Sequence, residues 1–159
     1  MRRFEKISFK QFKKDIGDNK ELYESYELPK RKTKASACYD LCSLIEINLK
    51  AGESVIIPTG MKYFSPDDEM FMIVIRSSMG FKYNIRLVNQ VGIIDSDYYN
   101  NESNEGHVLV KLQNHGTDDY QINIGDAVAQ GAFVKFFTVD DEEEITGERK
   151  GGFGSTGKR

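Results

Sequence analysis

Long apolar runs are missing from this 159-residue chain. None approaches the roughly 20 residues that a bilayer-spanning helix needs, which excludes a membrane protein of that kind. Cysteine is scarce as well. Cys38 and Cys42 are the only two, four positions apart, with no further Cys or His at zinc-finger spacing. A bridge between them would close a tiny loop, so reduced thiols in a cytoplasmic protein are expected. The basic stretch Met1–Lys14 has no apolar core after its arginines, so no secretory signal is read there. No internal repeat is visible.

What is present suits one globular domain, since domains most often run roughly 100–150 residues. Hydrophobic residues make up 39% and charged residues 30%, the balance of a soluble protein. The formal charge of −3 hides an asymmetry. The first 34 residues carry 11 basic and 6 acidic side chains, against 22 and 25 in the whole chain. A basic head invites thoughts of nucleic acid. With no aromatic or glycine pattern of a nucleic-acid module beside it, a solvated helix face and a linker are the better reading, and neither nucleic acid nor membrane is expected as a partner.

Phe9, Phe12 and Ile16 recur at helical spacing behind Ser8, a plausible N-cap, and Gly17 can stop the turn. One short N-terminal helix is expected. After Pro29 the pattern changes to short strands between turn signals: Ser54–Pro58, Met70–Ile75, Ile85–Val88, Val91–Ile94, Val108–Leu112 and Ala132–Phe137. Evenly spaced short strands predict an all-β sandwich or barrel. Three segments are expected: residues 1–32 as helix and linker packing on the core, 33–139 as the β core, and 140–159 as an acidic linker followed by a glycine-rich lid.

Chemistry-bearing residues fall in several places. Gly152–Lys158 has P-loop spacing up to the lysine, but Arg159 stands where a Mg²⁺-binding hydroxyl belongs. What remains is a strip of glycines, the hydroxyls of Ser155 and Thr156, and nearby cations, able to close over a polyphosphate. Arg76-Ser77-Ser78 ends an apolar run with a cation and two hydroxyls, groups suited to phosphate oxygens. In Asn89–Tyr99, Gly92 permits close approach of a ligand to the backbone. Asp95 offers a carboxylate and Tyr98 a flat ring. Strict strand alternation would put Asp95 and Tyr98 on opposite faces, so one shared pocket requires a bend between them, assumed to be a hairpin. Asp97 and Tyr99 are read as turn and surface residues, and Gln130 as an unexplained polar group in a core strand.

Taken in order, these segments resemble the five motifs of the homotrimeric dUTP pyrophosphatases. Ala35–Ser43 looks like the first, Arg76–Gly80 the second, Asn89–Tyr98 the third, Gly125–Gln130 the fourth and Gly151–Gly157 the fifth. The resemblance implies a jelly-roll β-sandwich subunit in a threefold trimer, with each site built from three chains. It implies hydrolysis of dUTP to dUMP and pyrophosphate with Mg²⁺. Asp95 is then the candidate general base. Gln130 helps place the α-phosphate and the water. Arg76, Ser77 and Ser78 bind phosphate oxygens, and Asp40 holds Mg²⁺ through water. Asn89 and the Gly92 backbone read uracil, and Tyr98 leaves no room for a 2′-hydroxyl. Arg149, Phe153, Gly154, Ser155 and Thr156 belong to the closing strip, with Phe153 over the uracil ring.

Departures from the pattern are Cys38 in place of glycine, Ala127 in place of arginine, and Tyr99-Asn100 in place of Arg-Gly. In addition, Asn101–Gly106 lengthens the turn, and Arg149 stands one position late. Two other readings compete: a dCTP deaminase or bifunctional deaminase–dUTPase of the same fold, and a trimeric partner-binding protein on the same scaffold. A deaminase needs a glutamate near the base, and none lies within Asn89–Tyr98.

Overall fold

A computed structural model describes residues 1–147 and 151–152. In chain order the elements are β1 (Arg3–Lys6), α1 (Phe9–Asp15), α2 (Lys20–Ser25), β2 (Tyr39–Cys42), β3 (Ile47–Leu49), β4 (Ser54–Pro58), β5 (Met61–Phe64) and β6 (Glu69–Ile75). There follow α3 (Ser77–Tyr83), β7 (Ile85–Leu87), β8 (Gly92–Asp95), a 3₁₀ turn (Ser96–Tyr98), β9 (Leu109–Asn114), β10 (Tyr120–Ile122) and β11 (Ala127–Lys135).

Strand alternation builds the core. Along β6, Phe71 and Ile73 turn inward and are buried, while Met70, Met72 and Val74 between them stay half-buried on the other face. β6 sits inside a four-stranded sheet of order β2-β11-β6-β8, which packs with a three-stranded sheet of order β4-β9-β7. The inner rows of both sheets, among them Leu41, Ile57, Phe71, Ile85, Leu112 and Val128, meet in one buried cluster. All ladders between these strands are antiparallel. This is the all-β sandwich expected from the strand spacing.

The N-terminal segment holds more than one helix. Ser8 caps α1 by accepting from the Gln11 amide at 3.1 Å, and Phe9, Phe12 and Ile16 share one face as their spacing requires. With Ile7, Leu22, Tyr23, Tyr26 and Leu44 they form a second, smaller apolar cluster. α2 is added to it, and β1 pairs antiparallel with β5, Phe4 opposite Tyr63. Phe4 then drops among Tyr39, Phe71 and Phe133, with ring centroids 5.0, 5.6 and 5.5 Å away. The basic head is therefore an integral edge of the sandwich.

Candidate active site

β8 lies opposite β6, with Gly92 facing Ile73 and Asp95 facing Met70. Beyond Asp95 the chain winds into the 3₁₀ turn Ser96–Tyr98. This turn, rather than a hairpin, supplies the bend that the two side chains need. Asp95 and Tyr98 line one cavity of about 300 Å³, together with Asn89, Gly92, Val108 and Gly152. Asp95 is exposed at the cavity edge and Tyr98 is buried in its wall.

The reversal before β8 also differs from a hairpin ladder. β7 pairs with β9 and β8 with β6, so residues 88–91 carry the chain from one sheet to the other. Two tight hydrogen bonds hold this turn: the Gln90 amide donates to Leu87 O at 3.0 Å and the Val91 amide to Asn89 O at 2.7 Å. At Gly92 a Cβ would stand 3.2 Å from Ile73 Cβ and 3.6 Å from Asn89 Nδ2. The missing side chain leaves the cavity floor as bare backbone, able to present its N–H and C=O to a flat polar ring.

A second polar group lies on the far side of β6. Asp40 on β2 is register partner to Gln130 on β11, and Gln130 Nε2 donates to Asp40 Oδ1 at 3.2 Å. That bond accounts for the polar side chain left unexplained in the sequence. Arg76 Nε stands 3.8 Å from Asp40 Oδ1, while its Nη1 donates to Ala127 O at 3.2 Å. Lys32 Nζ approaches Asp40 Oδ2 to 3.9 Å. Among the described residues, nothing hydrogen-bonds the buried atoms Asp40 Oδ2 and Arg76 Nε. Buried polar atoms left unpaired are costly, so this pair marks where a polar ligand completes the structure. Ser77 and Ser78 are exposed in the first turn of α3, where backbone N–H groups have no intrahelical acceptor.

Among the described residues no three His, Cys, Asp or Glu side chains gather into a metal cage. Asp40, with one oxygen that accepts no hydrogen bond among the described residues, fits a hard ion that keeps its waters, as Mg²⁺ does. Arg149, Phe153, Gly154, Ser155 and Thr156 lie outside the described residues. Gly152 is described, and a Cβ on it would stand 2.5 Å from Tyr98 Cε2, so this residue lies against the tyrosine ring with no room for a side chain. Tyr99 has the structural role expected of it, donating to Glu5 Oε2 at 2.8 Å on β1. Asn104 and His107, which contact the Tyr98 hydroxyl, and Asn101, which donates to the Tyr98 carbonyl, were not singled out by the sequence reading. The only signal was the lengthened turn that contains the two asparagines.

A sandwich with a base-sized cavity at one edge strand and a carboxylate–guanidinium cluster across the same sheet is the frame of a nucleotide-binding protein. Residues 24–157 match the dUTPase family. The chain belongs to the dUTPase family of nucleotide hydrolases. It is 42% identical over 131 residues to the deoxyuridine 5′-triphosphate nucleotidohydrolase of Lactococcus lactis subsp. lactis (strain IL1403), covering 82% of this chain and 87% of that one. The corresponding protein of Pasteurella multocida (strain Pm70) is 36% identical over 141 residues, covering 84% and 89%. Among solved structures, the dUTPase from Streptococcus mutans aligns with a TM-score of 0.71 at 35% identity, over 86% of this chain and 98% of that one. A mutant dUTPase from phage phi11 of S. aureus, which coordinates a structural Mg(II) ion, shares the fold with a TM-score of 0.66 at 19% identity, over 92% and 99%.

Proposed function

We propose that the protein hydrolyses dUTP to dUMP and pyrophosphate by attack of water at the α-phosphorus. The observation that carries this reading is the placement of Asp95, Tyr98, Asn89 and Gly92 on one cavity. Asp95 is the general base. An exposed carboxylate at the mouth of the cavity can take a proton from a water held between itself and the phosphate chain. Asn89 and the bare backbone at Gly92 match the N3–H donor and two carbonyl acceptors of uracil. Cytosine, with donor and acceptor exchanged at positions 3 and 4, would leave buried polar groups unpaired. Sites built on such a match reject the wrong pattern by as much as about 10⁴-fold. The 5-methyl of thymine meets the Gly92 backbone, and the Tyr98 ring fills the space of a ribose 2′-hydroxyl. Among the described residues lining the cavity Asp95 is the only acid, which weighs against a deaminase with a proton-shuttling glutamate.

Arg76, Ser77, Ser78 and Gln130 hold the phosphate oxygens, with the buried Arg76 Nε as a donor for the phosphate end of the substrate. Mg²⁺, held by Asp40 through water, would neutralise charge on the triphosphate when bound. Closure of the site is the role proposed for the glycine-rich strip with Arg149, Phe153, Gly154, Ser155 and Thr156.

The two halves do not meet in one chain. Along β6, Asp95 pairs at Met70 and Gln130 at Val74, on opposite neighbouring strands. That offset is roughly 13 Å along the strand and two interstrand spacings across it. A site needing both groups on one phosphate draws them from different copies. The half-buried apolar row Met70, Met72 and Val74, with Ile93 51% exposed beside it, offers a surface for such copies to cover. A homotrimer with shared sites satisfies both observations.

Pyrophosphate release from dUTP, with dCTP, dTTP and UTP as controls, tests the reading. Release from dUTP alone is expected, with no ammonia from dCTP. Asp95→Asn is expected to lower kcat by about 10²–10⁴-fold while nucleotide binding persists. A fully active Asp95→Asn protein would remove this residue as the base.

A further inference from the structure

We infer that Asn104 is a positioning residue for Tyr98, and that the N-terminal segment seats it, so that sugar selectivity is set partly outside the region matched to the family. The inference rests on the reading of Tyr98 as the group that excludes ribose. Asn104 Nδ2 donates to Tyr98 Oη at 2.7 Å, and Tyr98 Oη donates to His107 O at 3.2 Å. The orientation of the Asn104 amide is fixed by its other edge. Its Oδ1 accepts from Asn101 Nδ2 at 2.9 Å and from the Gly106 amide at 3.1 Å, so only the NH₂ can face the tyrosine. Asn101 in turn donates to Tyr98 O at 2.8 Å and accepts from the Ser103 amide at 3.0 Å. Tyr98 is thus held at its hydroxyl and its backbone by one short loop.

That loop turns tightly and holds Glu105, a residue that rarely adopts positive φ, in the left-handed region. Asn100, Glu105 and Gly106 all take positive φ, at 55, 60 and 81°. At Gly106 a Cβ would stand 2.7 Å from Tyr98 O, so glycine is required there. Support comes from the start of the chain. The Ser8 amide and hydroxyl donate to the two oxygens of Glu105, at 2.9 and 2.5 Å. Lys14 Nζ donates to Ser103 O at 3.2 Å, and Asp15 Oδ2 lies 2.6 Å from His107 Nδ1. Ser8, Lys14 and Asp15 all precede residue 24, where the family match begins. α1 is therefore clamped to the loop that aims Tyr98.

Kinetics with dUTP and UTP, and ¹³C NMR of labelled tyrosine rings, test this on wild type, Asn104→Ala, Tyr98→Phe and the double variant. Asn104→Ala is expected to lower the dUTP-over-UTP ratio of kcat/KM by about 5–10-fold. Tyr98→Phe is expected to lower it comparably, and the double variant no further than the larger single effect. The Tyr98 ring signal, assigned by its loss in Tyr98→Phe, is expected to shift in Asn104→Ala. A merely structural role would lower activity toward both nucleotides alike and leave the ratio unchanged. An unchanged ratio, additive effects in the double variant, or an unmoved ring signal overturns the inference. Should Asn104→Ala fail to fold, Asn104→Asp, which keeps shape but replaces the donor, gives the same readouts. A wild type that turns over UTP as fast as dUTP sinks the reading of Tyr98 itself, and the ring signal then still decides whether Asn104 positions it.

Discussion

His107 has no exposed surface, and the hydrogen bonds around it fix which nitrogen carries the proton. The Gly60 amide donates to Nε2 at 2.9 Å, so Nε2 is an acceptor and the proton sits on Nδ1, facing Asp15. Burial pushes the imidazole below its ordinary 6.5, against the opposing pull of Asp15 and Glu105. Below that value the unfolded chain takes up a proton that the folded chain refuses. The stability His107 supplies is therefore full above about pH 6.5 and lost as pH falls below it. Urea midpoints measured between about pH 7.5 and 5.5 are expected to fall with pH in the wild type and to change less in His107→Gln. An equal slope in both would show that His107 does not govern this window.

At the scale of elements, the chain's legibility follows how local each signal is. Ser54–Pro58 reads as a strand and is one, because its apolar side chains and flanking turns are all in the segment. Asp95 and Tyr98 read together because two residues separate them. By contrast β1, Arg3–Lys6, has three charges in four positions and no apolar alternation. It is a strand only because β5, nearly 60 residues away, accepts its ladder. α3 follows an apolar strand with two serines, a sequence that reads as a polar strand end until Arg76 is seen as its N-cap. β11 begins at Ala127, five residues before the stretch that its larger apolar residues mark. The pairing of Asp40 with Gln130 spans 90 positions and is set by register alone. The hidden strand carries a prediction. Phe4→Ala removes a ring from an aromatic cluster at the sandwich edge. Because Phe4 is only half-buried, a loss of about 2–3 kcal/mol is expected, below the cost of emptying a fully buried aromatic site. Denaturant unfolding measures it, and a loss under about 1 kcal/mol would mean that β1 frays in solution.

For the whole molecule, the separation of the two polar groups within one sheet gives the proposed shared site a direct test. If each site takes Asp95 from one copy and Gln130 from another, two inactive proteins can repair each other. Asp95→Asn chains still carry Gln130, Arg76 and Asp40; Gln130→Ala chains still carry Asp95 and its cavity. Mixed at equal amounts, unfolded and refolded together, they form trimers in which each site draws its two groups independently. A site is then complete when Asp95 comes from a Gln130→Ala chain and Gln130 from an Asp95→Asn chain, which gives about one quarter of wild-type activity for random assembly. Each variant refolded alone stays near its own low level. If both groups served one site from the same chain, every site in the mixture would lack one of them, and mixing would restore nothing. The rate of pyrophosphate release after co-refolding separates these outcomes. The mass of the refolded particle shows whether the copies that share a site number three.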